Sequence, residues 1–142
     1  MKTTIFVAFS VLLFTAISFS QEPKPARNLD WLTKHPVIVQ MRDLQNTERA
    51  RYGIAALKMN PDLCLIAQRH AVWMSETGWF QHGSHGHAEI IHQSVRTPEE
   101  AVQGWIYSPS HFGIMVGGYS EVGCGYMKNP INGQTYWVSV FR

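Results

Sequence analysis

Most of the short motifs that announce a catalytic or metal site are missing from this sequence. It contains no His-Glu-x-x-His, no paired Cys-x-x-Cys and no Gly-x-Ser-x-Gly, which excludes a zincin helix, a closed zinc knuckle and a strained serine elbow. Charge is also scarce. Only 15% of the 142 residues are Asp, Glu, Lys or Arg. The 12 basic residues barely outnumber the 10 acidic ones, and Lys2 lies in the N-terminal segment. A near-neutral balance without a basic face argues against a nucleic-acid partner. Beyond the N-terminal segment no apolar run approaches the roughly 20 residues that a bilayer span requires. There are two cysteines, Cys64 and Cys124. A bridge between them would tie the first half of the chain to the last; the alternative is two buried thiols acting as small apolar side chains. No internal repeat is visible.

What is present starts at the N-terminus. Lys2 gives a positive start, Ile5 to Ile17 is almost wholly apolar, and Ser18-Phe19-Ser20 puts small residues before a cut ahead of Gln21. That layout is a secretory signal whose apolar core is short for a membrane span. No cysteine directly follows it to carry a lipid anchor. The expected organisation is a signal over residues 1–20, a flexible leader over 21–35 containing Pro23 and Pro25, and one domain over 36–142. The expected product is exported, secreted or periplasmic, and does not span a membrane once the signal is removed. Its length suits a single hydrophobic core.

Helix punctuation is clear in three places. Pro36 suits a first helical turn, and the pattern through Ile38, Met41 and Arg49 stops near Gly53. Asn60-Pro61-Asp62 combines a cap, a first-turn proline and an acid at the positive helix end. Leu63, Ile66, Ala67, His70, Ala71 and Met74 then recur at helical spacing up to Gly78. Thr97-Pro98-Glu99-Glu100 predicts a capping box before Ala101, Val102 and Trp105. Ser108-Pro109 interrupts that helix, and Ser110 is positioned to cap a short turn through His111 to Met115. Between residues 78 and 96 lie glycines and four histidines without helical period, around the apolar piece Glu89-Ile90-Ile91. Val122 to Tyr126 and Tyr136 to Phe141 are β-rich, with Asn132-Gly133 as a hairpin turn between them. Strands of this kind are expected to be sandwiched by the helices.

Three groups of residues could carry chemistry. His82, His85, His87, Glu89 and His92, with His111 later in the chain, offer the imidazole and carboxylate groups that hold zinc and similar ions. Their spacing matches no closed zinc motif, and a histidine-rich loop is more often a solvated surface. Ser110 or Ser108 beside His111, oriented by Glu89, would be a serine nucleophile. Ser-Pro-Ser reads better as a turn and cap. Aromatic residues, among them Trp73, Trp79, Phe80, Trp105 and Tyr107, could line a lipid or peptide groove, but at helix and strand spacing they serve a core.

Read in order, these segments form a recognisable series. It comprises Asn46-Thr47-Glu48-Arg49, His70-Ala71, Phe80-Gln81-His82, Glu89, and Thr97-Pro98-Glu99-Glu100-Ala101-Val102 with Trp105. Ser108-Pro109-Ser110-His111, Val122-Gly123-Cys124-Gly125 and Tyr136-Trp137-Val138-Ser139-Val140-Phe141 complete it. The series resembles the CAP superfamily (cysteine-rich secretory proteins, antigen 5, pathogenesis-related 1) in its bacterial SCP-domain form, from about Ile38 to Phe141. The resemblance implies an α/β fold, an α-β-α sandwich around a short antiparallel sheet. It also implies a cleft lined by two histidines and two glutamates. By motif position His82 and His111 match the histidine pair that holds zinc or another divalent cation in family members, and Glu89 matches the first glutamate. Two departures stand out. Ser108 occupies the place where many eukaryotic members carry the second glutamate, and Ala88-Glu89-Ile90 replaces Gly-Glu-Asn. His85 or His87 is then a candidate substitute ligand.

The family carries several activities, so the expectation for function stays plural. Leading is a secreted binding module, rather than an enzyme, whose His82/Glu89/His111 cleft takes a divalent ion and organises a protein, lipid or small-molecule ligand. A metal-assisted peptidase or esterase with Glu89 as general base is the second expectation. A lipid or sterol carrier is the third.

Overall fold

The computed structural model describes residues 27–142. The signal over residues 1–20 and the first part of the leader, 21–26, lie outside the described residues. The leader's remainder is not featureless: Asp30–Thr33 forms a one-turn helix, α1, that buries Leu32 in the core. Leu29, Trp31 and Leu32 span too short a stretch to show a period, so this element is invisible in the sequence.

The two long helices start where their prolines indicate. Helix α2 (Pro36–Arg51) has Pro36 in its first turn, and the His35 ring accepts from the Val37 N–H. Strand β1 is only Lys58–Met59. Helix α3 (Pro61–Thr77) is capped by the Asn60 side chain, which accepts from the N–H groups of Asp62 and Leu63. Such a cap contributes about 1 kcal/mol. Gly78 closes α3 in the left-handed conformation, φ 73°.

The segment read as irregular contains a strand, β2 (Ala88–Gln93), centred on the expected apolar piece. Helix α4 (Pro98–Ile106) begins at Thr97, whose hydroxyl accepts from the Glu100 N–H at 3.2 Å. The capping box is completed one residue early: the Glu100 carboxylate takes the Arg96 N–H at 2.6 Å instead of the Thr97 N–H. Helix α5 (Pro109–Met115) has Ser108, not Ser110, at its N-cap position because Pro109 occupies its first turn, and the Ser108 side chain makes no capping bond. Strands β3 (Glu121–Lys128) and β4 (Thr135–Phe141) form the expected hairpin, with Gly133 at φ 74° in its loop.

The sheet order is β1-β3-β4-β2. Strands β3, β4 and β2 are antiparallel, and the two-residue β1 joins β3 in parallel. Helix α3 covers one face, packing Leu63, Ala67, Ala71 and Met74 near Ile91, Val138 and Val140. On the other face α2 and α4 bring Ile38, Met41 and Trp105 against Ile90, Cys124 and Trp137. Every residue of β4 is buried, which explains its unbroken apolar run. Each fully buried aliphatic or aromatic side chain of this core stabilises by roughly 1.5–3 kcal/mol.

Two sequence features tie the layers together. A Cβ at Gly123 would collide with the backbone of Leu63 and Cys64, and one at Gly125 with that of Ala67. The Gly-Cys-Gly spacing therefore lets α3 lie directly on β3. Buried Arg49 spreads its guanidinium over four carbonyls, those of Ala55 (2.9 Å), Met115 (2.9 Å), Gly117 (2.8 Å) and Tyr119 (3.0 Å). Burial lowers its pKa. Both cysteines are free and buried. Cys64 Sγ lies 3.2 Å from Met59 Sδ, and Cys124 Sγ lies 3.5 Å from Ser139 Oγ.

Candidate functional site

Strand β2 is an outer strand of the sheet, and the cleft forms along it. Glu89 is its second residue, with a side chain only 4% exposed on the α3 side. A buried carboxylate needs donors on both oxygens, and here they come from the glycine- and histidine-rich loop before the strand. Glu89 Oε1 accepts from His82 Nδ1 at 2.9 Å and from the Gly83 N–H at 3.0 Å. Its Oε2 accepts from His85 Nε2 at 2.8 Å. His70 Nε2, on α3, stands 3.8 Å from that same oxygen and donates to the Gln81 carbonyl at 2.8 Å. Burial pushes the Glu89 carboxyl upward most strongly. The bonds from His85, Gly83 and His82, with the charge of His70, together outweigh it and hold the group below the ordinary carboxylate value.

These contacts fix how His82 is presented. Its Nδ1 donates to an ionised carboxylate, so in the neutral ring the Nε2 lone pair is free, and the side chain is 57% exposed. His111, in α5, faces it with ring centroids 6.4 Å apart. Burial, then the charges of His82 and His92, lower the His111 pKa, so its ring favours the lone-pair form.

A cavity of about 240 Å³ opens on the His111 side, lined by Phe80, Ile91, His92, Gly104 and Ser108 as well as His111. A second hollow of about 180 Å³, bounded by His70, Trp73, Gln81 and Ser84, lies on the other side of His82. Two glycines shape these walls. A Cβ at Gly83 would stand 2.7 Å from His85 Cδ2, and one at Gly104 would collide with the His92 imidazole.

The structure thus brings His82, His85 and Glu89 together and sets His111 beside them. His87 stays apart: its ring packs on His85 with centroids 5.8 Å apart and makes no bond to Glu89. Ser108 lines the cavity, but its hydroxyl meets only Ser110 Oγ, at 3.5 Å. Glu89 is occupied by His82 and His85, so no Ser-His-Glu relay forms. His70 is the site residue that sequence reading missed, because it falls within the helical pattern of α3. One signal was available: Trp73 follows at i+3, and the two rings stack with centroids 5.7 Å apart. Among the described residues no three His, Cys, Asp or Glu side chains converge tightly enough to hold a metal ion.

An α-β-α sandwich of this kind is the architecture of CAP-fold proteins. The chain belongs to the cysteine-rich secretory protein family (CAP), whose sequence model matches residues 42–141. No curated protein matches it closely. Among solved structures it is similar to an outer surface protein of Borrelia burgdorferi, at 17% identity and a TM-score of 0.64 over 72% of this chain and 88% of that one. Venom allergen-like protein 4 of Schistosoma mansoni gives 14% identity and a TM-score of 0.60 over 75% of this chain and 88% of that one. An extracellular SCP-domain protein of Bacillus anthracis gives 17% and 0.56 over 74% of this chain, but only 40% of that longer protein. A manganese-bound structure of Ac-ASP-7 shares the fold at 14% identity and a TM-score of 0.57, over 75% of this chain and 68% of that one. No described helix is long and apolar enough to cross a membrane.

Proposed function

We propose that this chain is an exported binding module whose cleft takes a divalent cation between His82 and His111 and holds a ligand beside it. The observation that carries this reading is the Glu89–His82 bond of 2.9 Å. A carboxylate behind an imidazole fixes its tautomer and aims the opposite nitrogen outward, the usual support of a ligating histidine. Two imidazoles joined to one tetrahedral zinc by bonds of about 2.0–2.1 Å bring their centroids to about 5.2 Å. The observed 6.4 Å is about 1 Å longer, so the two rings must close by a small side-chain rotation to share the ion. With two protein ligands the remaining positions fall to water or to the bound partner, which suits an exchangeable ion. The cation would supply a Lewis-acidic contact for an oxygen of the ligand; Glu89 orients, and Phe80 and Ile91 give the cavity its apolar wall.

Hydrolysis with Glu89 as general base is disfavoured by the same contacts. Both carboxylate oxygens are engaged and the pKa is lowered, whereas a base suited to neutral pH needs a raised one. The signal-like residues 1–20 support export, as do fold relatives described as outer-surface and extracellular proteins.

Calorimetric titration of chelator-treated protein with zinc and manganese tests the reading. One-to-one uptake that disappears in His82→Ala/His111→Ala is the expected outcome. Equal uptake by both proteins, or none by either, would overturn it.

A further inference from the structure

In the order β1-β3-β4-β2, strand β2 is terminal, and its outer side faces the cleft. Its ladder pairs Ile90 with Ser139 and His92 with Trp137. Just beyond, the Ser94 N–H donates to the Thr135 carbonyl at 3.1 Å. Antiparallel bonds alternate along a strand. Ile90, His92 and Ser94 therefore turn their N–H and C=O toward β4, while Glu89, Ile91 and Gln93 turn theirs outward. Trp105 reports the same phase, since its Nε1–H donates to the Ile91 carbonyl at 3.0 Å.

At Ile91 and Gln93 the outward acceptors are used and the outward donors are not. Trp105 takes the Ile91 carbonyl, and His92 Nδ1 takes the Gln93 carbonyl at 2.9 Å. Among the described residues nothing outside the ladder accepts from the Ile91 or Gln93 N–H. Ile91 is buried, and both residues line the 240 Å³ cavity. Buried backbone donors are nearly always satisfied. The rest of that wall offers the Ser108 hydroxyl and the imidazoles of His92 and His111, and no carboxylate lines it. The ligand that fits therefore presents acceptors to those two amides.

We propose that the edge of β2 docks an extended polypeptide segment, whose carbonyls take the Ile91 and Gln93 N–H groups. Two donors two residues apart stand about 6.6–6.8 Å from each other, the repeat at which an extended chain presents its carbonyls to one side. A lone carboxylate reaches only one of them. One side chain of the docked segment enters the cavity between Phe80 and Ser108, which Gly104 keeps open by letting His92 lie against α4. The inference deepens the binding-module reading and rests on it, by naming the class of ligand.

The test is amide hydrogen exchange on the chelator-treated protein. The probe is a pool of blocked hexapeptides, Thr and Val alternating around one fully varied position. Slowing of at least tenfold at Ile91 and Gln93, with Lys58 and Met59 on the opposite edge unchanged, is expected. Gly104→Ala, which drives His92 into the cavity, should weaken binding at least tenfold. Ser108→Trp, at a half-buried position on the cavity wall, should do the same with the helical circular-dichroism signal unchanged. No protection at millimolar peptide would overturn the proposal. So would equal protection by octanoate, which would make the cavity a site for small anions. Zinc uptake through His82 and His111 without peptide protection would remove peptide docking alone; loss of both would remove the binding-module reading as well.

Discussion

Glu89 shows how much of this cleft depends on one ionised group. Its oxygens hold His82, His85 and the Gly83 amide, so Glu89→Gln would turn part of an acceptor into a donor facing donors. Leaving such buried groups mismatched costs roughly 1–3 kcal/mol. The native pKa is lowered from 4.5, so the carboxylate's contribution is fully present above that ordinary value and is lost as pH falls through the native one. Urea unfolding of chelator-treated protein should therefore show the variant less stable at neutral pH, with the gap closing in acid. A gap of unchanged size down to pH 2 would mean that ionisation is not its source. The same residue separates what was legible from what was not. His82, Glu89 and His111 were placed by the order of their motifs, but the donors that surround Glu89 were not. His70 joins from another helix through folding, and the glycine that admits His85 looked like ordinary loop punctuation.

Elements were legible in proportion to their end signals. Helices α3 and α4 carry a cap, a first-turn proline and acids, and their starts fall where those residues stand. Strand β2 was half hidden because Ala-Glu-Ile-Ile-His-Gln does not alternate and lies among glycines and histidines; only its pairing with β4 defines it. Strand β1 is two residues long, below any period, and α1 is a single turn. Between elements, the contact of α3 with β3 is the most tightly specified. Gly123→Ala has no room against the Leu63 and Cys64 backbone, and separating two packed layers costs about 3 kcal/mol or more. Calorimetric melting should drop by at least about 10 °C on the scale of about 4–8 °C per kcal/mol for a domain of this size. A change of only a degree or two would show that α3 shifts freely on the sheet.

Across the whole molecule the two thiols report on the fold. Sequence left open whether Cys64 and Cys124 pair. They stay free inside the sandwich, and burial pushes their pKa values up to about 11 and about 12. Thiolates are the reactive form, so iodoacetamide at pH 8 should add no label to the native protein by mass spectrometry and two labels once it is unfolded in urea. Labelling of the native protein at the unfolded rate would mean that the layers part readily. The sheet topology has a consequence in time as well. Every strand pairing involves β3 or β4, that is, residues within 121–141. A chain delivered N-terminus first, from a ribosome or through a narrow channel, has helices but no sheet to lay them on until that hairpin emerges. Long-range pairing of this kind is slow to form. The connectivity itself therefore postpones formation of the sheet until residues 121–141 have emerged.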